Sequence, residues 1–471
     1  MQPFEQIKEY CNQVNKQIRW KKAKPIIAAE IENHLCDQRD AYISSGDNET
    51  DATQKAILQM GDAVFVGQEL DKAHRPKPQW FMIALTGFLM LIGLSVNHLI
   101  STTSHSLHSF SILPVAFAFG LFICCYYMDF TRLGKHSKKI YAFILIVSVI
   151  GILLSTGVNG RLTWHVGRYS VALSYLSLIF PLVFALFVYS MRNKGICGIL
   201  LCGVAYFPLA AILLVIPSIS GLILYTISSL SVLCFSIYRG WFGVSKRKGL
   251  LLVLLPTITA FIGLAIAIVF APYAASRFSV FLNPEQDRLG AGYLYCLIRD
   301  ILSGSVFLGK GSIPHNMEVI SALPNIGTDY SLVYLIHQFG FVVLCCLAII
   351  MAIFSVIGVR KALKEKSMLG SLVAVSIMLT FILQTAFYIV DNLGYGLVSA
   401  LSLPFISYGN TALFINSALI GFMLSVFRTG EIFRDHTFGN IANKDKDNNP
   451  IFAYEDGKLI INLNVNRSLN N

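Results

Sequence analysis

The chain has 471 residues, 55% of them hydrophobic and only 13% charged; soluble domains carry about a quarter charged residues. That composition excludes an ordinary soluble globular protein, and repeated apolar runs make it a polytopic membrane protein. The formal net charge of +11 does not point to nucleic acid, because the basic residues cluster in short loops between those runs.

Residues 1–79 are polar and read as a separate cytoplasmic helical domain, with no cleavable signal peptide at the start. Ile27, Ile31 and Leu35 have helical spacing, as do Ala56, Ile57 and Met60. Ser44–Asn48 is a turn between two helices, and Asp51 or Thr53 is expected to cap the second. Gly61-Asp62 ends that helix, a third follows over Val64–Ala73, and Arg75-Pro76-Lys77-Pro78 is a linker. His34 and Cys36 are too few for a metal site. The Glu30–Leu35 run EIENHL and the Gly-Asp turn resemble the helical prefix domain ahead of some Gram-positive permeases and membrane regulators, which implies an interaction or regulatory role.

From Trp80 the membrane begins. A crossing takes about twenty apolar residues. Ten runs meet that length: 80–99, 110–128, 140–158, 170–190, 195–216, 222–238, 249–270, 330–353, 368–390 and 411–427. Arg132, Lys135, Lys138 and Lys139 follow the second run, Arg192 and Lys194 the fourth, Arg239 and Lys246–Lys248 the sixth, and Arg360, Lys361, Lys364 and Lys366 the eighth. The alternating short loops are nearly free of Lys and Arg: 100–109 and 391–410 have none, and 159–169 has only Arg161 and Arg168. Every second loop is therefore expected to be cytoplasmic. The expected architecture is an all-α, ten-helix membrane domain over 80–428, in the bacterial cell membrane, with both termini cytoplasmic and a large extracytoplasmic loop, 271–329, between helices 7 and 8. Residues 429–471 form a polar cytoplasmic tail; Lys458–Val465 alternates enough for a short strand, but the tail is expected to be an extension with little fixed structure. Most of the ten cysteines lie in apolar runs and none has metal-ligand spacing, so no disulfides are expected.

The outer loop carries Arg277–Phe281, Leu282-Asn283-Pro284, Asp287, Gly290–Tyr293 and Gly309-Lys310-Gly311. It then runs through Leu323-Pro324 into Thr328-Asp329-Tyr330, with Phe339-Gly340 beyond. Together these resemble the large loop of the SEDS family (FtsW, RodA, SpoVE), including its LPExHTDF segment. Leu403–Gly409, LPFISYG, resembles the LPFxSYGG signature before the last span, and Asn159-Gly160 with Trp164 resembles the NGAxxW element. The resemblance covers roughly residues 80–428. It implies a peptidoglycan glycosyltransferase that polymerises lipid II on the outer face with a class B penicillin-binding protein, among other divisome or elongasome membrane proteins, in division, elongation or sporulation.

The position matching the family's catalytic acid is Asp329. A carboxylate there can take the proton of the acceptor hydroxyl as it attacks the donor's anomeric carbon. The diphosphate leaving group calls for cations or a divalent metal such as Mg or Mn. Arg277, Arg288, Arg299 and Lys310 are the loop's cations. Asp287, Arg277, Lys310, Ser407, Tyr408 and Gly409 are the candidate substrate-binding residues; no metal ligands are assigned. Each has a simpler reading. Asp329 suits a helix N-cap, Asp287 a solvated loop acid, and Ser407-Tyr408-Gly409 a tight re-entrant turn. His337 reads as a packed histidine or a proton relay. Asp391 and Asn392 receive no role.

The sequence also departs from the family. The charged PSELAK-like run that opens the fourth span is Tyr169–Ser174 here, without charge; the QPDLGT turn is Ile216–Gly221, without an acid. LPE is Leu323-Pro324-Asn325, the histidine before Thr-Asp is Gly327, EE is His337-Gln338, and the second Gly of SYGG is Asn410. Two alternatives therefore stand beside the enzyme: a non-catalytic scaffold of division or sporulation proteins, and a flippase for a lipid-linked precursor.

Overall fold

The computed structural model describes residues 3–21, 23–103, 111–158, 161–166, 169–270, 272–312, 323–396, 401–407, 409–429, 452–455 and 458–461. Residues up to 432 form one compact unit and 433–471 another. In the second, β-strands Phe452–Glu455 and Lys458–Ile461 pair antiparallel, where an extension with little fixed structure is expected.

The N-terminal domain has four helices: α1 (Pro3–Gln17), α2 (Lys24–Ser44), α3 (Glu49–Met60) and α4 (Ala63–His74). Its core joins Ile7, Val14 and Ile18 of the first helix and its exit to Ile27, Ile31 and Leu35 of the second and Ala56 of the third. The helical spacing of Ile27, Ile31 and Leu35 thus marks the buried face. The cap of α3 is Asn48, whose side chain accepts from the Thr50 amide. Asp51 and Thr53 lie inside the helix instead, and Thr53 turns its hydroxyl onto the Glu49 carbonyl. Asp62 caps α4 by accepting from the Phe65 amide.

The apolar part continues as α5 (Trp80–Thr103), α6 (Leu113–Tyr127), a single turn α7 (Thr131–Lys135) and α8 (Ser137–Leu153). Next come strands β1 (Thr156–Val158), β2 (Arg161–Val166) and β3 (Tyr169–Ala172), a 3-10 turn over Leu173–Leu178, and α9 (Phe180–Ser190). After these run α10 (Gly195–Val215), α11 (Ile219–Tyr238), α12 (Lys246–Phe270), α13 (Pro272–Leu282) and α14 (Tyr293–Ser303). The last four are α15 (Ser331–Phe339), α16 (Val342–Lys364), α17 (Met368–Asn392) and α18 (Asn410–Thr429). Among the described residues, seven helical stretches are long and apolar enough to cross a membrane, and Leu113–Tyr127 is a shorter apolar helix.

Three expectations change. The fold is not purely helical: β1, β2 and β3 form an antiparallel sheet, with Thr156 opposite Thr163 and Trp164 opposite Val171. β-Branched and aromatic residues at alternate positions favour strand pairing there, and Leu162 and Trp164 pack on the apolar core. The third span therefore ends at Leu153 and the fourth begins near Leu173. The 271–329 stretch is not all loop, because α13 and α14 lie in it. The expected eighth span, 330–353, breaks at Gly340, whose φ is +92°.

Helix α17 lies at the centre. It is buried along most of its length, and Met368 and Leu372 join Phe180, Phe184 and Tyr225 of α9 and α11 in one core. α18 packs closely on α6: a Cβ on Gly421 would stand 2.7 Å from the Phe122 carbonyl, and the Ser425 hydroxyl donates to the Met128 carbonyl at 2.6 Å. Small residues at such crossings let helix backbones approach where no water drives association.

Candidate functional site

The break at Gly340 is stitched by the segment before it. The amides of Gly311 and Gly309 donate to the His337 and Phe339 carbonyls, at 2.8 and 3.1 Å, at the end of α15. The amides of Phe341 and Val342 donate to the Val306 and Phe307 carbonyls at the start of α16. Helix ends carry backbone groups without intrahelical partners, and this stretch serves two ends at once. A Cβ on Gly340 would stand 2.4 Å from the Phe307 carbonyl oxygen.

At the other end of α15 stands Asp329, 1% exposed. A tight turn brings it there: the amides of Thr328 and Asp329 both donate to the Asn325 carbonyl, at 3.0 and 2.9 Å. Asn325 adopts φ +50°, a left-handed conformation that Asn tolerates better than most residues. Its side-chain amide points back to Asp329 Oδ2 at 3.4 Å.

The amides that open α15 are served from α17. The Tyr388 hydroxyl accepts from the Leu332 amide at 3.3 Å, and Asn392 Oδ1 accepts from the Val333 amide at 3.3 Å. Asn392 Nδ2 donates to the carbonyls of Asp329 and Tyr388, both at 2.9 Å. Two side chains of α17 thus serve amides in the first turn of α15. Asn392 also fixes the backbone of the acid.

The second motif meets the same tyrosine. The Ser407 hydroxyl accepts from the Leu403 amide at 2.9 Å and engages the Tyr388 side chain, whose hydroxyl also lies 2.7 Å from Ser331 Oγ. The turn is tight: Phe405 sits at φ +65°, and its carbonyl oxygen would be 2.0 Å from a Cβ on Gly93 of α5. Gln384, one turn before Tyr388, donates to the Ser402 carbonyl at 2.6 Å. Gly409 opens the last helix, its carbonyl accepting from the Leu413 amide. Tyr408 lies outside the described residues.

The remaining candidates separate. Gly309-Lys310-Gly311 meets the far end of α15, opposite Asp329, and Lys310 is exposed. A nine-residue helix is about 13 Å long, so the structure does not bring the Lys310 backbone to the acid. Asp287 accepts from the Ala291 amide at 2.8 Å and holds the turn before α14. Arg288 pairs with Asp300 at 2.6 Å in the open. Arg299 donates to the Gly394 carbonyl at 3.1 Å and lies over the Tyr395 ring, tying α14 to the exit of α17. Arg277 lies on α13, with its side chain outside the described residues. His337 is buried, with Nδ1 2.8 Å from the place a Cβ on Gly311 would take. Among the described residues, no three His, Cys, Asp or Glu side chains converge as metal ligands.

Sequence reading missed Asn325, Tyr388 and Asn392. A signal existed for the last two: Gln384, Tyr388, Asp391 and Asn392 recur on one helical face of an otherwise apolar run. All four are at most 1% exposed. Polar groups placed so inside a span are costly unless they serve partners or function.

The family profile described as "Cell cycle protein" (FtsW/RodA/SpoVE) matches residues 75–431. The probable peptidoglycan glycosyltransferase FtsW of Pseudoalteromonas translucida is 24% identical over 410 residues, covering 80% of this chain and 98% of that one. The FtsW of Acinetobacter baylyi is 32% identical over 167 residues, 35% of this chain and 42% of that relative. Among solved structures, a chain of a peptidoglycan synthase complex aligns with TM-score 0.59 and 20% identity over 76% of this chain and 99% of its own.

Proposed function

Because the chain belongs to the FtsW/RodA/SpoVE family of cell cycle proteins, we propose that it is a peptidoglycan glycosyltransferase that polymerises lipid II on the outer face of the cell membrane. The single observation that carries this is Asp329: a buried acid whose backbone is fixed from α17 while side chains of α17 serve the first-turn amides of the helix behind it. Ten crossings with both termini cytoplasmic put that acid outside, where the basic loops are not.

In this reading the Asp329 carboxylate accepts the proton of the acceptor sugar's hydroxyl as the oxygen attacks the anomeric carbon. The glycosidic bond forms, the bond to the lipid diphosphate breaks, and the diphosphate leaves with the electron pair. A positioned base supplies about 10²–10⁴-fold. Cations of the outer loop, Arg277 among them, are assigned to the diphosphate, where preorganised positive charge stabilises the leaving group; Lys310, held at the far end of α15 from the acid, is not assigned to it. Ser407, Tyr408 and Gly409 line the acceptor or donor path, and Asp287 shapes the loop that covers it. A class B penicillin-binding protein is the partner proposed to cross-link the product.

The test is wild-type protein in proteoliposomes with fluorescent lipid II and a candidate penicillin-binding partner. Glycan strands are expected. Translocation of lipid II between leaflets without polymer would favour the flippase, and partner binding with neither activity would favour the scaffold.

A further inference from the structure

Helices α1 and α4 run parallel. The Tyr10 hydroxyl donates to the Gly61 carbonyl at 3.0 Å. Gly67 packs on Gln17 and the Val14 carbonyl. The Arg19 amide donates to Asp71 Oδ1 at 2.8 Å. Both helices therefore point their C-terminal ends the same way, and for α4 that way is the membrane. Only residues 75–79 separate α4 from α5. The Lys77 amide donates to the Arg428 carbonyl at the end of α18, and Lys361 Nζ of α16 donates to Gln79 Oε1. Asp71 lies 3.8 Å from Arg19 Nε and 4.0 Å from Arg75, which staples the α1–α2 connection beside the linker.

That connection reads Lys16-Gln-Ile-Arg19-Trp20-Lys21-Lys22-Ala-Lys24. Lys16, Arg19 and Lys21 are exposed, and Trp20 is half-buried against the domain core. Acids gather at the opposite end. α2 carries the chain about 30 Å away before Asp47, Glu49 and Asp51 appear, and Asp62, Glu5 and Glu9 lie at the starts of α4 and α1. Residues 1–79 hold 11 Lys and Arg against 12 Asp and Glu, so the basic end is produced by segregation, not by net charge.

We infer that the Lys16–Lys24 connection is a docking surface for the anionic lipid headgroups of the cytoplasmic leaflet, holding the basic end of the N-terminal domain against the bilayer. Each Lys or Arg near an anionic surface contributes on the order of 1 kcal/mol, and a tryptophan suits the headgroup layer. A nucleic acid or an acidic protein offers the same charge, but the stapling to the membrane linker favours lipid. The proposal rests on the cytoplasmic placement of residues 1–79 and is independent of the polymerase reading.

The experiment is amide hydrogen exchange on the full chain in nanodiscs, which expose both faces. Discs of phosphatidylcholine are compared with discs containing phosphatidylglycerol. Amides of residues 16–26 are expected to exchange at least threefold more slowly in the anionic discs. About 0.5 M salt should remove the protection, because screening shortens the reach of exposed charges. The triple variant Lys16→Gln, Lys21→Gln, Lys24→Gln should lose it while residues 49–60 exchange as in wild type. Equal exchange in the two lipids overturns the proposal. So does protection that appears in phosphatidylcholine discs only after heparin or an acidic peptide is added.

Discussion

At the scale of single residues, the site turns on how one acid is held. Asn392 bridges the Asp329 carbonyl, the Tyr388 carbonyl and the Val333 amide and is fully buried. Its replacement by leucine leaves buried backbone groups without their bonds, a cost of about 1–3 kcal/mol for each. We predict that Asn392→Leu lowers thermal stability in detergent. In folded protein it lowers the polymerisation rate on the order of a hundredfold with lipid II affinity little changed, because a displacement of about 1 Å suffices for that. A rate equal to wild type in folded Asn392→Leu would show that α17 does not position the acid. Asp329 could be proposed from the sequence because the Leu-Pro and Thr-Asp-Tyr residues around it carry a pattern. Tyr388 and Asn392 were not assigned, because their partners lie more than fifty residues away and only the fold brings them together.

At the scale of elements, the kink between α15 and α16 lets the loop segment 306–311 serve both helix ends. Gly340 is required there twice, by its φ of +92° and by the Phe307 carbonyl beside it. Gly340→Ala is predicted to destabilise the outer half of the bundle by about 2 kcal/mol or more, from strain and overpacking together, seen as faster amide exchange over 331–345. Unchanged exchange would mean the kink relaxes freely. The N-terminal domain offers a chemical probe. Cys11 is buried among Ile7, Val14 and Ile18, and burial chiefly, with Glu32 and Cys36 adding, pushes its thiol up to about 11. At pH 8 only about one thiol in a thousand is then ionised, so Cys11 should resist alkylation until the domain unfolds in urea, followed peptide by peptide by mass spectrometry. Labelling at the rate of an open thiol in native protein would contradict the packing. The long apolar runs, and α2 through the spacing of Ile27, Ile31 and Leu35, were readable in advance. The β1–β3 sheet was not, because its strands are short: β1 and most of β3 fall at the ends of runs that read as spans, and β2, with Arg161 and His165, lies in the stretch between them that reads as a loop. Nor was the kink at Gly340, since residues 330–353 are apolar enough to read as one span despite His337-Gln338, and the break depends on a loop folding back onto it.

At the scale of the whole molecule, the account requires the acid and the N-terminal domain to face opposite compartments. Leu289 in the outer loop and Leu58 in α3 are 94% and 79% exposed. In intact cells, a membrane-impermeant maleimide is expected to label Leu289→Cys and to spare Leu58→Cys until the membrane is opened; the reverse pattern would invert the topology. The most direct test concerns Asp329. Lipid II binding and single-turnover polymerisation are compared for wild type and Asp329→Asn, both reconstituted with the penicillin-binding partner. The account predicts affinity within about threefold and a rate lower by about 10²–10⁴-fold, the share of a positioned base. Polymerisation by Asp329→Asn within a few-fold of wild type would remove Asp329 from the chemistry.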